Sequence, residues 1–130
     1  MIVVDTSALF AVLHGEPEAE ACADALGSHD PLLIAAPTLT EALIVSFGRD
    51  LNDELVRLLD TLPFNVAPLT EGRARNAAEA YRRWGKGIHP AKLGYGDCFA
   101  YALAKEHGCP LLFIGRDFAQ TDVTPAIPDA

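Results

Sequence analysis

Four carboxylates stand where phosphodiester chemistry would need them. Asp5 closes the apolar run Ile2-Val3-Val4, and Asp117 follows the run Leu111-Leu112-Phe113-Ile114. Glu41 and Asp97 lie inside segments that otherwise read as apolar helices. A carboxylate is expensive to bury unless it is paired or bound to a cation. No Lys or Arg lies three or four residues from Glu41 or Asp97. A shared divalent cation would neutralise such a group, and hard oxygen donors suit Mg²⁺ or Mn²⁺. A metal held this way orients water, lowers its pKa and stabilises charge on a phosphodiester under in-line attack.

Each acid also has an ordinary reading. Asp5 before Thr6-Ser7 and Asp97 after Gly96 are placed as helix N-caps. Asp117 within Gly115-Arg116-Asp117-Phe118 suits a turn. Asp122 is a fifth candidate, with a surface role as its alternative. Glu41 shares a helical stripe with Ile44 and Val45, which predicts a buried side chain. The separate ordinary readings leave one thing unexplained: the acids fall on one expected edge of the fold. No Ser-His-acid or Cys-His arrangement competes, since Ser7 and Cys98 have no nearby His in sequence. His89 is a loop histidine that either meets substrate or has no special role.

The elements that must position these acids alternate in type. Strand-like segments are expected at Ile2 to Asp5, Leu32 to Ala35, Phe64 to Ala67, Leu111 to Ile114, and near Thr121 to Thr124. Helices are expected from Ser7 to Leu13, Pro17 to Leu26, Pro37 to Phe47, Leu51 to Leu62, Glu71 to Trp84, and Tyr95 or Asp97 to His107. Alternation of this kind predicts a parallel sheet with helices on both faces. Ligands of such sheets bind beyond the carboxyl ends of the strands. Asp5 and Asp117 fall at two such ends, Glu41 on the helix after the second strand, and Asp97 on the helix entering the fourth.

At 130 residues the chain reads as one domain, residues 1–130. No apolar stretch approaches membrane-spanning length, and no basic region precedes the first strand, so a cytoplasmic protein with no membrane role is expected. Cys22, Cys98 and Cys109 sit in apolar surroundings and read as reduced core thiols. Net charge is −8, which disfavours nucleic acid until its distribution is considered. Residues 1–72 carry −10, whereas residues 73–92 carry +5 from Arg73, Arg75, Arg82, Arg83, Lys86 and Lys92 against Glu79. Screening limits the reach of distant acids to about 8–10 Å, so a local basic stripe can still hold phosphate. Arg73, Arg82, Arg83, Lys86 and Lys92 are therefore candidate RNA-binding residues, with a solvated helix face as the alternative.

The chain resembles the PIN-domain ribonucleases, in particular VapC-type toxins of toxin–antitoxin pairs. The matching stretches are MIVVDTSALFAVLHGEPEAE, PTLTEALIV around Glu41, and GKGIHPAKLGYGDCFAYALAKEHGCPLLFIGRDFAQTDV, together most of the chain. The resemblance implies a three-layer α/β/α PIN-like domain with a central five-stranded parallel sheet. It implies a metal-dependent endoribonuclease that hydrolyses RNA phosphodiester bonds, a homodimer, and a VapB-type antitoxin as partner. Asp5, Glu41, Asp97 and Asp117 correspond to the acidic quartet. Asp5 and Asp97 are implied as direct Mg²⁺ or Mn²⁺ ligands, with Glu41 and Asp117 acting through water or at a second metal. Asp122 matches a late "TD" that could share the fourth acidic role, and Ser7 matches the hydroxyl residue supporting the first aspartate. Gly94 departs from the Asn often found ahead of the "GD" pair, which touches the local loop contacts.

Two other functions compete. A phosphatase using Asp5 as nucleophile most often carries a second acid two residues on, where this chain has Ser7. A receiver-like or RNA-binding module would use the acids structurally. A phosphoryl-accepting receiver needs a mid-chain strand-end Asp and a late strand-end Lys, and Phe64 to Ala67 and Leu111 to Ile114 supply neither.

Overall fold

The computed structural model describes residues 1–128. The order of elements is β1 (Ile2–Val4), α1 (Thr6–His14), α2 (Ala19–Leu26), β2 (Leu32–Ala35), α3 (Ala36–Gly48) and α4 (Asn52–Thr61). It continues with β3 (Phe64–Ala67), α5 (Glu71–Trp84), α6 (Tyr95–His107) and β4 (Leu111–Leu112), then a 3₁₀ turn at Phe118–Gln120. All strand pairs are parallel, in the spatial order β3-β2-β1-β4.

Alternation along the strands makes two cores. Ile2, Val4, Leu32, Ile34 and Leu112 point to one side, where Leu9 of α1, Cys22 of α2, Ala42 of α3 and Leu55 of α4 meet them. Val3, Ala35, Ala67 and Leu111 point to the other side, against Ala77 and Trp84 of α5 and Phe99 and Leu103 of α6. The sheet is thus apolar on both faces and helices cover both, as buried parallel strands require.

The sheet has four strands rather than the expected five. The segment expected near Thr121 to Thr124 is reduced to one parallel bridge between Leu111 and Pro125. Leu111 N donates to Thr124 O at 2.9 Å and Ala126 N to Leu111 O at 2.9 Å. Pro125 has no N–H to extend a ladder, and Pro128 follows soon after. β4 also ends early, at Leu112 instead of Ile114. Its ladder stops because the Ile114 amide turns to Ser7 Oγ, 3.0 Å away.

Left-handed glycines close α1 at Gly15 (φ 62°) and α6 at Gly108 (φ 60°). Cys22, Cys98 and Cys109 are free thiols, and burial pushes Cys22 and Cys98 up to about 11. Among the described residues no helix is long and apolar enough to cross a membrane.

Candidate active site

Three helix starts converge at the carboxyl edge of the sheet. α1 begins directly after β1, α3 directly after β2, and α6 precedes β4 and so presents its first turn at the same edge. Their N-terminal N–H groups give that edge a positive potential that favours carboxylates. Asp5 is the N-cap of α1 and Asp97 lies in the first turn of α6. Glu41 lies one turn further along α3. Asp5, Glu41 and Asp97 all line one open hollow of about 390 Å³.

Asp5 is 4 % exposed. Its Oδ2 accepts from Ser7 N at 3.0 Å and from Ser7 Oγ at 2.7 Å. Ser7 is fixed in turn by the Ile114 amide, so the support expected of it is present in the structure. Burial raises the Asp5 carboxyl to about 6; the Ser7 bonds oppose the rise, and neighbouring Asp97 and Glu41 add to it. Asp97 is also pushed up, first by burial and then by Glu41 and Asp117, against the pull of the Gly94 amide. That amide donates to Asp97 Oδ2 at 2.8 Å. Gly94 caps α6 with no side chain of its own, so where similar sequences carry Asn, Asp97 reaching back closes the helix start.

Glu41 is half-buried rather than fully buried. The hydroxyl of Thr6 donates to its Oε1 at 3.0 Å. Its carboxylate lies over Gly96, where an added Cβ would stand 3.0 Å from Glu41 Cδ. Thr6 and Gly96 escape a motif-based reading because both act across the gap between helices. The Ser/Thr-rich start of α1 and the glycine beside Asp97 were the available signals.

Asp117 is exposed, at the turn entering the 3₁₀ segment, and its charge reaches Asp97. Asp122 is placed elsewhere. Tyr101 Oη donates to Asp122 Oδ1, Trp84 Nε1 donates to Tyr101 Oη at 2.9 Å, and Lys105 and Arg83 lie 3.3 and 3.6 Å from Asp122 Oδ2. Burial and the Asp122 bond push the Tyr101 phenol up to about 12. Asp122 thus ties the late loop to α5 and α6. His89 is likewise engaged within the fold, its Nδ1 accepting from Ala91 N and its ring 4.7 Å from that of Trp84.

The basic stripe is partly spoken for by the protein's own acids. Arg73 makes a two-pronged pair with Glu106, and Arg82 pairs with Glu79. Arg83 faces Asp122 and lies over the Trp84 ring. Lys86 and Lys92 are exposed. None of these five lines the acidic hollow.

Among the described residues no three His, Cys, Asp or Glu side chains converge closely enough to hold an ion as they stand. The donor set still suits a hard cation. Asp5, Glu41 and Asp97 each give one oxygen to a protein donor, and the other oxygen of each accepts no protein hydrogen bond among the described residues. These three carboxylate residues on one hollow, with no Cys or His among its lining, suit oxygen-ligated Mg²⁺ or Mn²⁺ rather than zinc.

Known proteins share this plan. The family model described as "PIN domain" matches residues 2–123. Ribonuclease VapC30 of Mycobacterium tuberculosis is 44% identical over 131 residues, spanning 98% of this chain and 100% of that protein. Ribonuclease VapC42 of the same organism is 40% identical over 129 residues, spanning 96% and 98%. Among solved structures, Mycobacterium tuberculosis VapC20, titled a sarcin-ricin loop cleaving toxin, matches with a TM-score of 0.77 at 17% identity, covering 95% of this chain and 97% of that one. A toxin–antitoxin complex from Klebsiella pneumoniae matches with a TM-score of 0.70 at 22% identity, covering 94% and 93%. With the match running through every strand and the whole acidic edge, the chain belongs to the PIN-domain family, among relatives named VapC ribonucleases.

Proposed function

We propose that this chain is a metal-dependent endoribonuclease, the toxin of a toxin–antitoxin pair. The observation that carries the reading is the buried Asp5 carboxylate, grouped with Glu41 and Asp97 on one hollow and, among the described residues, without a basic partner within ion-pair distance. The full-length likeness to proteins named VapC ribonucleases supports the same reading. Asp5 and Asp97 would hold the cation, with Glu41 and Asp117 contributing through water or at a second metal.

When bound, Mg²⁺ or Mn²⁺ supplies an activated water and stabilises the developing negative charge. The protein's own part is positional. Ser7 fixes the Asp5 rotamer through two bonds to one oxygen and leaves the other free. Thr6 does the same for Glu41 and the Gly94 amide for Asp97. The preset geometry spares reorganisation when substrate arrives.

A VapB-type antitoxin is the expected inhibitor, in keeping with the toxin–antitoxin complexes among the structural matches. We also place a second copy of the chain on the apolar face formed by α3, α5 and the start of α6. Leu9, Phe10 and Leu55 are buried in the protein's own core. Exposed instead are Ile44, Leu69, Tyr81 and Tyr95, the last at 79%. An apolar hollow of about 620 Å³ there adjoins the protruding Ile44 and Tyr95, so one copy carries both knob and hole.

The deciding experiment incubates the purified chain with mixed cellular RNA and Mg²⁺, beside an EDTA control and Asp5→Asn. Cleavage by the wild type alone supports the reading. Equal cleavage by Asp5→Asn, or cleavage unaffected by EDTA, overturns it.

A further inference from the structure

Even with a cation among its carboxylates, an acidic hollow favours further positive charge at its rim to hold an RNA backbone. The five stripe residues do not line it. One base does: Arg49, the C-cap residue of α3, shares the wall with Asp5, Glu16, Glu41 and Asp97. Its guanidinium differs from those of Arg73, Arg75, Arg82 and Arg83, each of which faces an acid. Among the described residues Arg49 has no carboxylate within ion-pair distance, even with four acids on the same wall.

Arg49 is nonetheless held in place. Its Nη1 donates to His14 Nε2 at 3.0 Å, and its Cζ sits 5.2 Å from the centroid of the Phe10 ring. Phe10 is itself buried, so the platform is rigid. Stacking on an aromatic face and one bond to an imidazole nitrogen fix the fork without consuming its charge. The remaining N–H groups are available, and a guanidinium fork matches two phosphate oxygens.

We propose that Arg49 is the phosphate-holding residue of this site, seating the RNA backbone beside the scissile bond. The proposal rests on the ribonuclease reading and adds to it a substrate-binding residue that the sequence motifs do not mark. It also assigns Phe10 and His14 the role of positioning residues, acting on RNA only through Arg49.

The test uses single-stranded RNA oligonucleotides and the full chain carrying Asp5→Asn, so that binding is read without cleavage. Adding Arg49→Gln is expected to weaken binding about tenfold or more, as loss of a charge-assisted bond pair does, and to lower the salt slope by about 0.7. Arg49→Lys is expected to restore the slope while leaving affinity several-fold weaker, because the charge returns without the fork. Arg57→Gln, on the exposed side of α4 and away from the hollow, leaves both unchanged. In the otherwise native chain, Arg49→Gln raises KM more than it lowers kcat. If Arg49→Gln binds with wild-type affinity and slope while Asp5→Asn abolishes cleavage, the Arg49 proposal falls and the ribonuclease reading stands. A native chain that neither binds nor cleaves RNA overturns both.

Discussion

Thr6 and Glu41, 35 residues apart, are joined by one hydroxyl–carboxylate bond of 3.0 Å that spans from α1 to α3. This bond holds one oxygen of the half-buried Glu41, and the other lies over Gly96. Thr6→Val keeps the shape and removes the donor. Cleavage is expected to fall about tenfold, equivalent to a hydrogen bond to a charged group. Thr6→Ser is expected to recover most of it. Single-turnover rates of the three proteins check this.

Gly96 lies directly beneath the same carboxylate. Gly96→Ala forces Glu41 aside and is expected to weaken Mn²⁺ binding, measured by calorimetry. Glu41→Ala removes the obstruction, so the double variant is expected to be more stable than the two single effects summed. Strict additivity of the melting shifts would refute the contact.

Asp5 makes metal-free stability depend on pH. Its carboxyl titrates at 3.8 in the unfolded chain and about 6 in the fold. Between those values the folded form keeps a proton that the unfolded form has lost. The contribution is whole below about pH 4, falls as pH rises to about 6, and stays lost above. Asp5→Asn, which still accepts from Ser7, is therefore expected to stabilise the protein at pH 7 in EDTA, by on the order of 3 kcal/mol. The gap between the two melting curves should close at pH 4.

Asp122 and Asp117 are separated by their surroundings. Tyr101→Phe orphans the buried Trp84 Nε1 donor and is expected to cost about 1–3 kcal/mol of stability with little loss of activity per folded molecule. Asp122→Asn follows the same pattern. Asp117→Asn is expected to do the reverse, reducing cleavage with the melting point unchanged. Activity loss in Asp122→Asn at native stability would return Asp122 to the site.

The pairing face makes a simple case for sedimentation. Ile44→Lys or Tyr95→Lys places charge on an exposed apolar surface, so the isolated fold is expected to survive. A chain that sediments as a dimer should become a monomer with either change. A monomeric wild type at tens of micromolar contradicts the assignment.

Periodicity in the sequence was enough to order every described helix and the first four strands, because each is amphipathic or wholly apolar over its length. Asp5, Glu41 and Asp97 were legible for a related reason: a charge inside an apolar run needs a partner that the sequence did not supply nearby. Asp122 looked equivalent to Asp117 because both lie just beyond the same strand. The approach of Tyr101, Lys105 and Arg83 to Asp122 tells them apart. Two acids that balance the basic stripe, Glu106 and Asp122, come from later in the chain, so a local count of charge leaves them out. Arg49 and Gly96 carry no motif at all; each takes its role from neighbours brought in by the sheet. The fifth strand failed because Pro125 lacks the donor that a ladder needs.

Ser7 gives its proton to Asp5 and its lone pair to the amide of Ile114, 107 residues later. The carboxylate at the end of β1 is therefore set only when the segment beyond β4 is in place. A nascent or prematurely ended chain lacking β4 has β1 exposed along one edge and Ser7 free to rotate. The proton and lone pair of one serine thus couple the setting of Asp5 to the docking of the chain beyond β4 against α1.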